Sequence, residues 1–330
     1  MVRKLGIDLG TTNLLICSDN NGVIVDEPAV ITIDAKTKKC IAAGLEAREM
    51  VGRTPQNMVC IRPLKDGVIA DYEATDMMLN YFLKKCNLRG FFKRNVILIC
   101  HPTKITSVEK NAIRDCAYRA GAKKVYLEEE PKVAALGAGL EIGKASGNMV
   151  LDIGGGTTDI AVISLGGSVV SASIKVAGDK FDEAVIRYIK KKHNVIIGER
   201  TAEDLKINIG CVYPKMQDTE MDIRGRDLID GLPKTVTVYS SEMLEAMIEP
   251  ALMIVDAVHS VLERTPPELA ADISDKGIYM TGGGALLDGL DKLLQEKTGI
   301  NVMIAEDAIS CVAKGTGKAL DNLDKMDRRF

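Results

Sequence analysis

The stretch LDIGGGTTDIAV, residues 151–162, places an acid, three consecutive glycines and two threonines between two runs of strand-forming residues. The stretch LGIDLGTTNLLIC, residues 5–17, follows the same pattern: an apolar strand, an aspartate, a glycine turn, a Thr-Thr pair and a second apolar strand. The aspartates of the two stretches are Asp8 and Asp152. A turn of this kind that occurs twice predicts a chain built from two related halves.

The composition is that of an ordinary globular protein. A chain of 330 residues usually forms two domains, and its 43 basic residues nearly balance its 46 acidic ones, so no overall field favours nucleic acid. The eight cysteines include no C-x-x-C pair and the three histidines are widely spaced, which argues against a His-rich metal site. No signal peptide opens the sequence, and its apolar runs are shorter than the roughly 18 residues of a membrane span. We therefore expect a cytoplasmic chain with reduced thiols.

Strand-like and helix-like segments alternate along the chain, which is typical of an α/β protein. Two strands flank each of the twin turns. The sequence SVEKNAIRDCAYRAG predicts a helix over 107–121, with Ser107 as its N-cap and Gly121 as its stop. The other main predictions are helices at 72–86, 179–192 and 241–264, a buried strand at 95–100, and a strand, triglycine turn and helix at 277–294.

The residues of the twin turns suit phosphate groups. Backbone N–H groups bind phosphate closely, and glycine lets the main chain approach because it has no Cβ. An aspartate at the strand end would repel phosphate, but it can hold Mg²⁺ through water, and the metal then bridges to the phosphates. Asp8 with Thr11 and Thr12 would hold a polyphosphate from one side. Asp152 with residues 154–157 would hold it from the other.

A third glycine turn, TGGGALL at 281–287, precedes a helix and suits the flat face of a nucleoside. The two commonest nucleotide motifs, Walker A and a G-x-G-x-x-G between strand and helix, are absent from the sequence. A lone glycine triplet is more often a plain turn, and a turn aspartate commonly only caps the next backbone N–H groups. The twin arrangement together with the third turn nevertheless favours a nucleotide site.

With these motifs the sequence resembles the MreB family of bacterial actins, within the actin, Hsp70 and sugar-kinase superfold, and it is most similar to the MreB-like (Mbl) members. The resemblance extends over essentially the whole chain. The segments that carry it are GIDLGTTN (6–13), IRPLKDGVIADYEAT (61–75), YLEEEPKVAALGAGLEIG (126–143), MVLDIGGGTTDIAVIS (149–164), IGERTAEDLKINIG (197–210), RTPPELAADISDKG (264–277) and MTGGGALLDGLDKLL (280–294).

The resemblance implies an actin-like two-domain ATPase fold of the α/β class. Two RNase H-like domains would each carry a smaller inserted subdomain, with the nucleotide in the cleft between them. We expect domain I over 1–145 plus about 308–330, with its inserted subdomain at about 30–72. Domain II is expected over 146–307, with its inserted subdomain at about 180–240.

The resemblance also implies roles for individual residues, with ATP and Mg²⁺ as cofactors. Asp8 and Asp152 would hold Mg²⁺ through water. Taken alone, Glu203 and Lys206 would be a surface ion pair on one helical face, and only the resemblance makes them ribose and adenine contacts. The implied ATP-binding residues are Thr11, Thr12 and Asn13 in the first phosphate loop, Gly154, Gly155, Gly156 and Thr157 in the second, Glu203, Asp204, Leu205 and Lys206 near the nucleoside, and Gly282, Gly283, Gly284, Ala285 and Leu286 on the adenine side.

Hydrolysis needs a group that orients or deprotonates the water attacking the γ-phosphate. Glu130, just before Pro131, matches the family's water-polarising glutamate, and Thr157 matches its water-orienting threonine. Strand alternation would place Glu128 on the same face as Glu130, but only Glu130 aligns with the family. Without the resemblance, the three adjacent glutamates would be a solvated strand end. The resemblance therefore implies a slow Mg²⁺-dependent ATPase.

The segment CNLRGFFKRN, residues 86–95, places three apolar side chains among three basic ones. Apolar side chains within a basic collar suit an anionic membrane surface, although a buried loop plug is the alternative. The family has a membrane-insertion loop at this position, made here by Leu88, Phe91 and Phe92. The resemblance therefore implies peripheral attachment to the inner face of the cell membrane.

The resemblance further implies a homopolymer of paired antiparallel protofilaments, with Val108 at the pairing surface. Membrane proteins of the cell-wall elongation machinery would be partners, nucleic acid would not, and the polymer would guide cell-wall synthesis and rod shape. Two alternatives stay open: a metabolic kinase of the same superfold, and a monomeric regulatory ATPase like the nucleotide domain of a chaperone. Sedimentation with and without ATP would separate all three.

Overall fold

A computed structural model describes residues 3–18, 22–86 and 95–326 of the chain. Eighteen strands and ten helices alternate within these ranges. The strands are β1 (Arg3–Leu9), β2 (Asn13–Ser18), β3 (Gly22–Pro28), β4 (Ile31–Asp34), β5 (Cys40–Ala43), β6 (Met58–Ile61), β7 (Leu64–Lys65), β8 (Val68–Ile69), β9 (Asn95–His101), β10 (Lys124–Glu129), β11 (Asn148–Ile153), β12 (Thr158–Ser164), β13 (Gly167–Ile174), β14 (Val195–Ile196), β15 (Glu220–Asp227), β16 (Pro233–Tyr239), β17 (Ile278–Thr281) and β18 (Val302–Ile304). The helices are α1 (Leu45–Met50), α2 (Tyr72–Lys85), α3 (Ser107–Arg119), α4 (Glu130–Gly137), α5 (Gly178–His193), α6 (Glu199–Asn208), α7 (Ser240–Glu263), α8 (Pro267–Lys276), α9 (Leu290–Thr298) and α10 (Cys311–Met326).

Two five-stranded sheets share one topology. The strand order is β3-β2-β1-β9-β10 in the first sheet and β13-β12-β11-β17-β18 in the second. In each sheet the first three strands along the chain are antiparallel neighbours, and two later strands add in parallel on the other side of the first strand. The predicted relation between the two halves is therefore confirmed over whole sheets and not only at the turns.

The twin turns occupy equivalent places in the two sheets. The first joins β1 to β2 and the second joins β11 to β12, so each follows the central strand of its sheet. All six residues of β11 are buried, because a central strand has neighbours on both edges and layers on both faces. This position brings Asp8 and Asp152 to the ends of central strands, where the surrounding protein largely excludes water.

Smaller sheets lie in the two regions predicted as insertions. Strands β5, β4 and β6 form one of them, and β14, β15 and β16 form the other. Helices α5 and α6 pack beside the second small sheet, and the short hairpin of β7 and β8 follows the first one. We call residues 30–72 the first inserted region and residues 180–240 the second. The expected domain boundaries stay predictions.

Helices α4 and α10 lie between the two large sheets and join them. Their buried apolar residues form one cluster with residues of β9, β11 and β12. The two helices cross in backbone contact at two glycines: a Cβ at Gly137 would overlap the carbonyl of Cys311, and a Cβ at Gly315 would overlap that of Val133. Larger residues at these positions would force the helices, and with them the two sheets, apart.

Helix α3 starts from a different cap than the sequence predicted. Its N-cap is Thr106 and not Ser107: the Thr106 hydroxyl accepts the Glu109 N–H at 3.2 Å, and Glu109 Oε2 accepts the Thr106 N–H at 2.6 Å. This is a capping box, which needs a glutamate three residues after the cap. Ser107 was the wrong choice because only Thr106 has a glutamate at that spacing.

The remaining predicted helices and strands are present, and their ends differ by one or two residues from the predicted ones, except that α9 continues to Thr298, four residues beyond the predicted end at 294. Within the described residues, no helix has the length and apolar character needed to cross a membrane.

Candidate functional site

The two glycine turns meet directly, although they belong to different sheets. A Cβ at Gly155 would overlap Thr12 Oγ1, and a Cβ at Gly156 would lie 2.5 Å from Thr11 Oγ1. Only glycine allows the threonines of the first turn to approach the second turn this closely. The structure therefore brings together the two groups of residues that the sequence assigned to opposite sides of one ligand. We call residues 8–13 and 152–157 the floor of the cleft.

The second turn is held from behind by the start of helix α5. The carbonyl of Gly154 accepts the Gly178 N–H at 3.1 Å, and the carbonyl of Gly155 accepts the Asp179 N–H at 2.8 Å. The turn is closed on itself by a third bond, from the Gly154 N–H to the Thr157 carbonyl at 2.9 Å. Because these carbonyls are directed to α5, the loop has a fixed shape before any ligand is present.

The third glycine turn packs against the end of β11. A Cβ at Gly282 would overlap the Ile153 carbonyl, and Thr281 Oγ1 donates to Asp152 Oδ1 at 2.8 Å. Residues 283–286 form a single 3₁₀ turn in which Ala285 is buried and Leu286 is exposed. The three glycine turns of the sequence therefore form one continuous surface.

Four acidic side chains lie close to one another at the floor: Asp8, Glu130, Asp152 and Asp159. Burial raises the pKa of Asp8 to about 7, with the charges of Asp152 and Asp26 adding to the effect. Burial also raises the pKa of Asp152 to about 6, although the Thr281 hydroxyl opposes the shift. The pKa of Glu130 is raised well above its usual value by burial and then by the charges of Asp159, Asp8 and Asp152. Such a group of acids favours a cation nearby.

The residues present fit a hydrated divalent cation better than a directly ligated one. Among residues 3–18, 22–86 and 95–326, no three His, Cys, Asp or Glu side chains are arranged to bind a metal ion. Mg²⁺ commonly keeps several waters and uses one or two carboxylates together with substrate phosphates. Asp8 and Asp152, whose negative charges are disfavoured by burial, could hold such an ion through its waters.

The three adjacent glutamates have three different environments. Glu128 pairs with Lys132 at 2.7 Å, and Glu129 accepts the Ser168 hydroxyl at 2.6 Å. Glu130 is the first residue of α4 and not the last of the strand, so the alternation that grouped it with Glu128 does not extend to it. It is Glu130 whose pKa responds to the acids of the floor. The separate partners of Glu128 and Glu129 could not be read from the sequence.

Thr157, in the second turn, is covered by the hairpin of β7 and β8 from the first half of the chain. It is buried, and a Cβ at Gly67 would lie 2.7 Å from Thr157 Cγ2. The Gly67 N–H donates to Thr11 Oγ1 at 3.0 Å, so the hairpin of β7 and β8 contacts both turns. From the sequence, this hairpin is only part of the resemblance over residues 61–75, and nothing in the sequence places it at the site.

The candidate nucleoside contacts on α6 do not pair with each other. Lys206 Nζ lies 2.8 Å from Asp182 Oδ1 and donates to the Gly178 carbonyl at 3.2 Å. Glu203 Oε2 accepts from Arg48 of the first inserted region at 2.5 Å. Asp204 is half-buried and the Leu205 side chain is fully buried in the core of the second half, which leaves the Leu205 backbone for any contact.

Ion pairs join the first inserted region to helices α5 and α6 above the floor. Besides Arg48 and Glu203, Arg62 reaches Glu199 at 3.0 Å and Asp179 at 3.7 Å. We call these five residues the mouth of the cleft. No local pattern in the sequence indicates Arg48, Arg62, Asp179 or Glu199, because each pair joins segments more than a hundred residues apart.

The two sites predicted away from the cleft differ in what can be said of them. Leu88, Phe91 and Phe92, the predicted membrane loop, lie outside the described residues. Val108, the predicted pairing residue, is the second residue of α3 and is 78% exposed. Its exposure leaves it available for a contact with another molecule.

The comparisons with known proteins agree over the whole chain. A family model described as MreB/Mbl protein matches residues 2–328. The chain is 58% identical to the cell shape-determining protein Mbl of Bacillus cereus, covering 99% of this chain and 98% of the relative. It is 50% identical to the cell shape-determining protein MreB of Escherichia coli, covering 98% and 94% of the two chains.

Solved structures confirm the actin-like fold. The crystal structure of MreB5 of Spiroplasma citri bound to ADP superimposes with a TM-score of 0.94 at 40% identity, covering 100% of this chain and 99% of the other. A MamK double helical filament matches with a TM-score of 0.82 at 21% identity, which supports the fold alone. With the family model spanning nearly every residue and relatives more than half identical, the chain belongs to the MreB/Mbl family of bacterial actins.

Proposed function

We propose that the chain binds ATP and Mg²⁺ in the cleft, hydrolyses ATP slowly, and assembles into filaments that help to guide cell-wall synthesis and rod shape. The observation that carries this proposal is the direct contact of the twin glycine turns beside a group of buried acids. The relatives named above are cell shape-determining proteins, and MreB5 of Spiroplasma citri binds ADP and AMPPNP in its crystal structures.

The floor would bind the polyphosphate. Thr11, Thr12 and Asn13 would bind it from the first turn, and the backbone and hydroxyl of residues 154–157 from the second. Asp8 and Asp152 would hold Mg²⁺ through water, and the ion would neutralise charge that develops on the phosphates. The raised pKa values of both aspartates support this role, because a bound cation favours the charged form that burial disfavours.

Glu130 would orient and partly deprotonate the attacking water, and Thr157 would position it. General-base assistance requires a carboxylate within hydrogen-bond reach of the water. Of the three adjacent glutamates, Glu128 and Glu129 are engaged with Lys132 and Ser168, which supports the choice of Glu130.

The nucleoside would lie between α6 and the third glycine turn. Glu203 and Lys206 would contact the ribose and adenine, along with the neighbouring Asp204 and Leu205 of α6. The backbone of residues 282–286 would line the adenine side, since the Ala285 side chain is buried in the core.

We also propose the domain division at residues 145/146 and 307/308. Helix α10 would then return to domain I, which its packing against α4, β1 and β2 supports. The inserted regions at 30–72 and 180–240 would be the smaller subdomains, each supported by its own three-stranded sheet.

Filaments would be paired antiparallel protofilaments that contact each other around Val108. They would attach to the cytoplasmic face of the cell membrane through Leu88, Phe91 and Phe92, and work with membrane proteins of the cell-wall elongation machinery. An exposed valine at the start of a well-capped helix supports the pairing surface. Each membrane contact would be weak, but many such contacts along one polymer would together give strong attachment.

High-speed sedimentation tests this function against its alternatives. We expect the chain to pellet with ATP and Mg²⁺ and to remain in the supernatant without nucleotide. A metabolic kinase would stay soluble and transfer phosphate to a small molecule, and a monomeric regulatory ATPase would hydrolyse ATP without pelleting. Hydrolysis in the absence of any pellet over a wide range of protein concentration would contradict the filament proposal.

A further inference from the structure

Asp159 is a buried acid that the roles above leave unused. It lies in β12, only 1% exposed, opposite Asp152 of β11 and Ser173 of β13. Thr157 lies two residues earlier, in the turn that leads into β12. A carboxylate inside a sheet is costly unless hydrogen-bond donors compensate for the lost water.

Burial raises the pKa of Asp159, and the Thr103 N–H and the hydroxyls of Ser173, Thr103 and Thr157 oppose that shift. The backbone donor comes from the other half of the molecule. The backbone N–H of Thr103 donates to Asp159 Oδ1 at 2.7 Å. Thr103 follows β9, and the corner at residues 101–103 is itself held by a contact of 2.7 Å between His101 Nδ1 and the Pro102 carbonyl. The bond therefore connects β12, which begins directly after Thr157, to this corner of the first sheet.

The same corner lies beside Glu130 through the pairing of two strands. Strands β9 and β10 are parallel neighbours, with His101 opposite Glu129, so Glu130 follows directly on the residue paired with the corner. Pro102 also packs at Gly67, where a Cβ would lie 2.7 Å from both Pro102 Cγ and Thr157 Cγ2. A short path thus runs from Thr157 through Asp159 to the Thr103 N–H, and from the corner at residues 101–103 across the pairing of β9 with β10 to Glu129 and the adjoining Glu130.

We propose that Asp159 is a positioning residue, which holds Thr157 and Glu130 at a fixed separation across the cleft through its hydrogen bond with the Thr103 N–H. This inference rests on the proposed hydrolysis by the same site. Asp159 acts as a hydrogen-bond acceptor and does not touch the attacking water. Misplacing a reacting group by about 1 Å can slow a reaction by about 100-fold, so a single cross-cleft bond can matter for turnover while nucleotide binding is kept.

The acceptor role separates two substitutions of similar shape. Asp159→Asn keeps an oxygen for the Thr103 N–H, whereas Asp159→Leu has none. We expect the kcat for ATP hydrolysis to fall by less than about threefold in Asp159→Asn and by about tenfold or more in Asp159→Leu, with ATP affinity little changed in both. In a Glu130→Ala background, Asp159→Leu should add little further loss, because the group that it positions is gone.

The outcomes are distinct. If Asp159→Asn is as slow as Asp159→Leu, the charge matters and not the bond, and the proposal is wrong. The proposal is also wrong if Asp159→Leu has the kcat of the wild type. It is wrong as well if Asp159→Leu lowers kcat by the same factor in the Glu130→Ala background as in the wild type. Should Asp159→Leu not fold, Asp159→Ala, which also lacks the acceptor, takes its place, and a kcat like that of the wild type in Asp159→Ala would overturn the proposal. The proposed function itself would be contradicted by two other results: a wild-type chain that does not bind ATP, or equal rates of ATP hydrolysis in the wild type and in Glu130→Ala.

Discussion

At the floor of the cleft the two halves meet through glycine backbone and short hydroxyl side chains, whereas at its mouth they meet through long charged side chains. The floor has no room even for a Cβ at Gly155. The mouth contains arginines that are 42% and 46% exposed, paired with acids across open surface. The floor is therefore closely packed, and the mouth is held by partly exposed ion pairs that contribute little free energy.

This difference suggests a division of tasks. Exposed ion pairs contribute about 0–1 kcal/mol each and weaken with salt, so they cannot decide whether a nucleotide binds. Backbone groups held in a fixed loop can, because they need no reorganisation when the phosphate arrives. We infer that the floor dominates nucleotide affinity and sets hydrolysis, and that the ion pairs of the mouth mainly adjust the rate of exchange, while Glu203 would also contact the nucleoside. The predictions below test that inference.

The largest effect is expected from Gly155→Val. A side chain at this position would overlap Thr12 and occupy the approach to the phosphates, so ATP affinity should fall by about 100-fold or more, which is about 2.7 kcal/mol. Equilibrium binding of a fluorescent ATP analogue measures this, with circular dichroism as the check on folding. Gly143→Val is the matched control, since Gly143 has open space around its Cβ position. Unchanged affinity in folded Gly155→Val would show that the turns do not hold the phosphates.

Glu130→Ala should separate hydrolysis from binding at the floor. Loss of the water-orienting carboxylate should slow phosphate release by about 100-fold while ATP affinity is kept. Single-turnover assays measure both quantities. Glu128→Ala is the matched control, because Glu128 pairs with Lys132 and should be dispensable for hydrolysis. Equal rates in the two variants would remove Glu130 from the mechanism.

Asp8→Asn should show that the acids of the floor oppose folding. Burial raises the pKa of Asp8 from 3.8 to about 7, so the native state holds a proton that the unfolded chain releases. The free energy of unfolding is therefore not reduced by Asp8 below about pH 4, where the side chain is protonated in both states. It falls as the pH rises from about 4 to about 7, because the buried side chain must then carry a charge. Asparagine carries no charge, so at pH 8 the variant without ligands should unfold at higher denaturant concentration than the wild type, while Mg²⁺-dependent ATP binding weakens.

Asp34→Asn serves as the control for that experiment. The pKa of this partly exposed aspartate is lowered by the Thr37 and Lys36 N–H groups, so its substitution should not stabilise the chain at pH 8. If Asp8→Asn is no more stable than the wild type at pH 8, or if both variants gain equally, the electrostatic account of the floor is wrong.

The floor could be predicted from the sequence because its parts are contiguous. Each turn contains its strand, aspartate, glycines and threonines within a dozen residues, and the repetition of that pattern revealed the two related sheets. The cap of α3 was also readable in principle, since Thr106 and Glu109 stand at capping-box spacing.

The mouth could not be predicted in the same way. Its pairs join Arg48 with Glu203 and Arg62 with Glu199, and only the packing of the whole chain brings them together. The same holds for the bond between Thr103 and Asp159, where one partner is a backbone N–H that carries no side-chain signal. Local sequence patterns therefore predict a site whose residues lie in short contiguous motifs. They do not predict ion pairs or hydrogen bonds between residues that are far apart in the sequence.

The smallest effect is expected from Arg62→Ala at the mouth. The variant loses pairs with Glu199 and Asp179, so a bound nucleotide should leave about two- to fivefold faster at low salt, which corresponds to up to about 1 kcal/mol. Added salt should speed release from the wild type and change the variant less, because the screened interactions are already gone. Stopped-flow displacement of a fluorescent nucleotide measures both rates. Arg53→Ala, an exposed arginine of the same inserted region, is the control. If Arg62→Ala lowers the hydrolysis rate as strongly as Glu130→Ala while release is unchanged, the mouth belongs to the catalytic apparatus and the contrast with the floor does not hold.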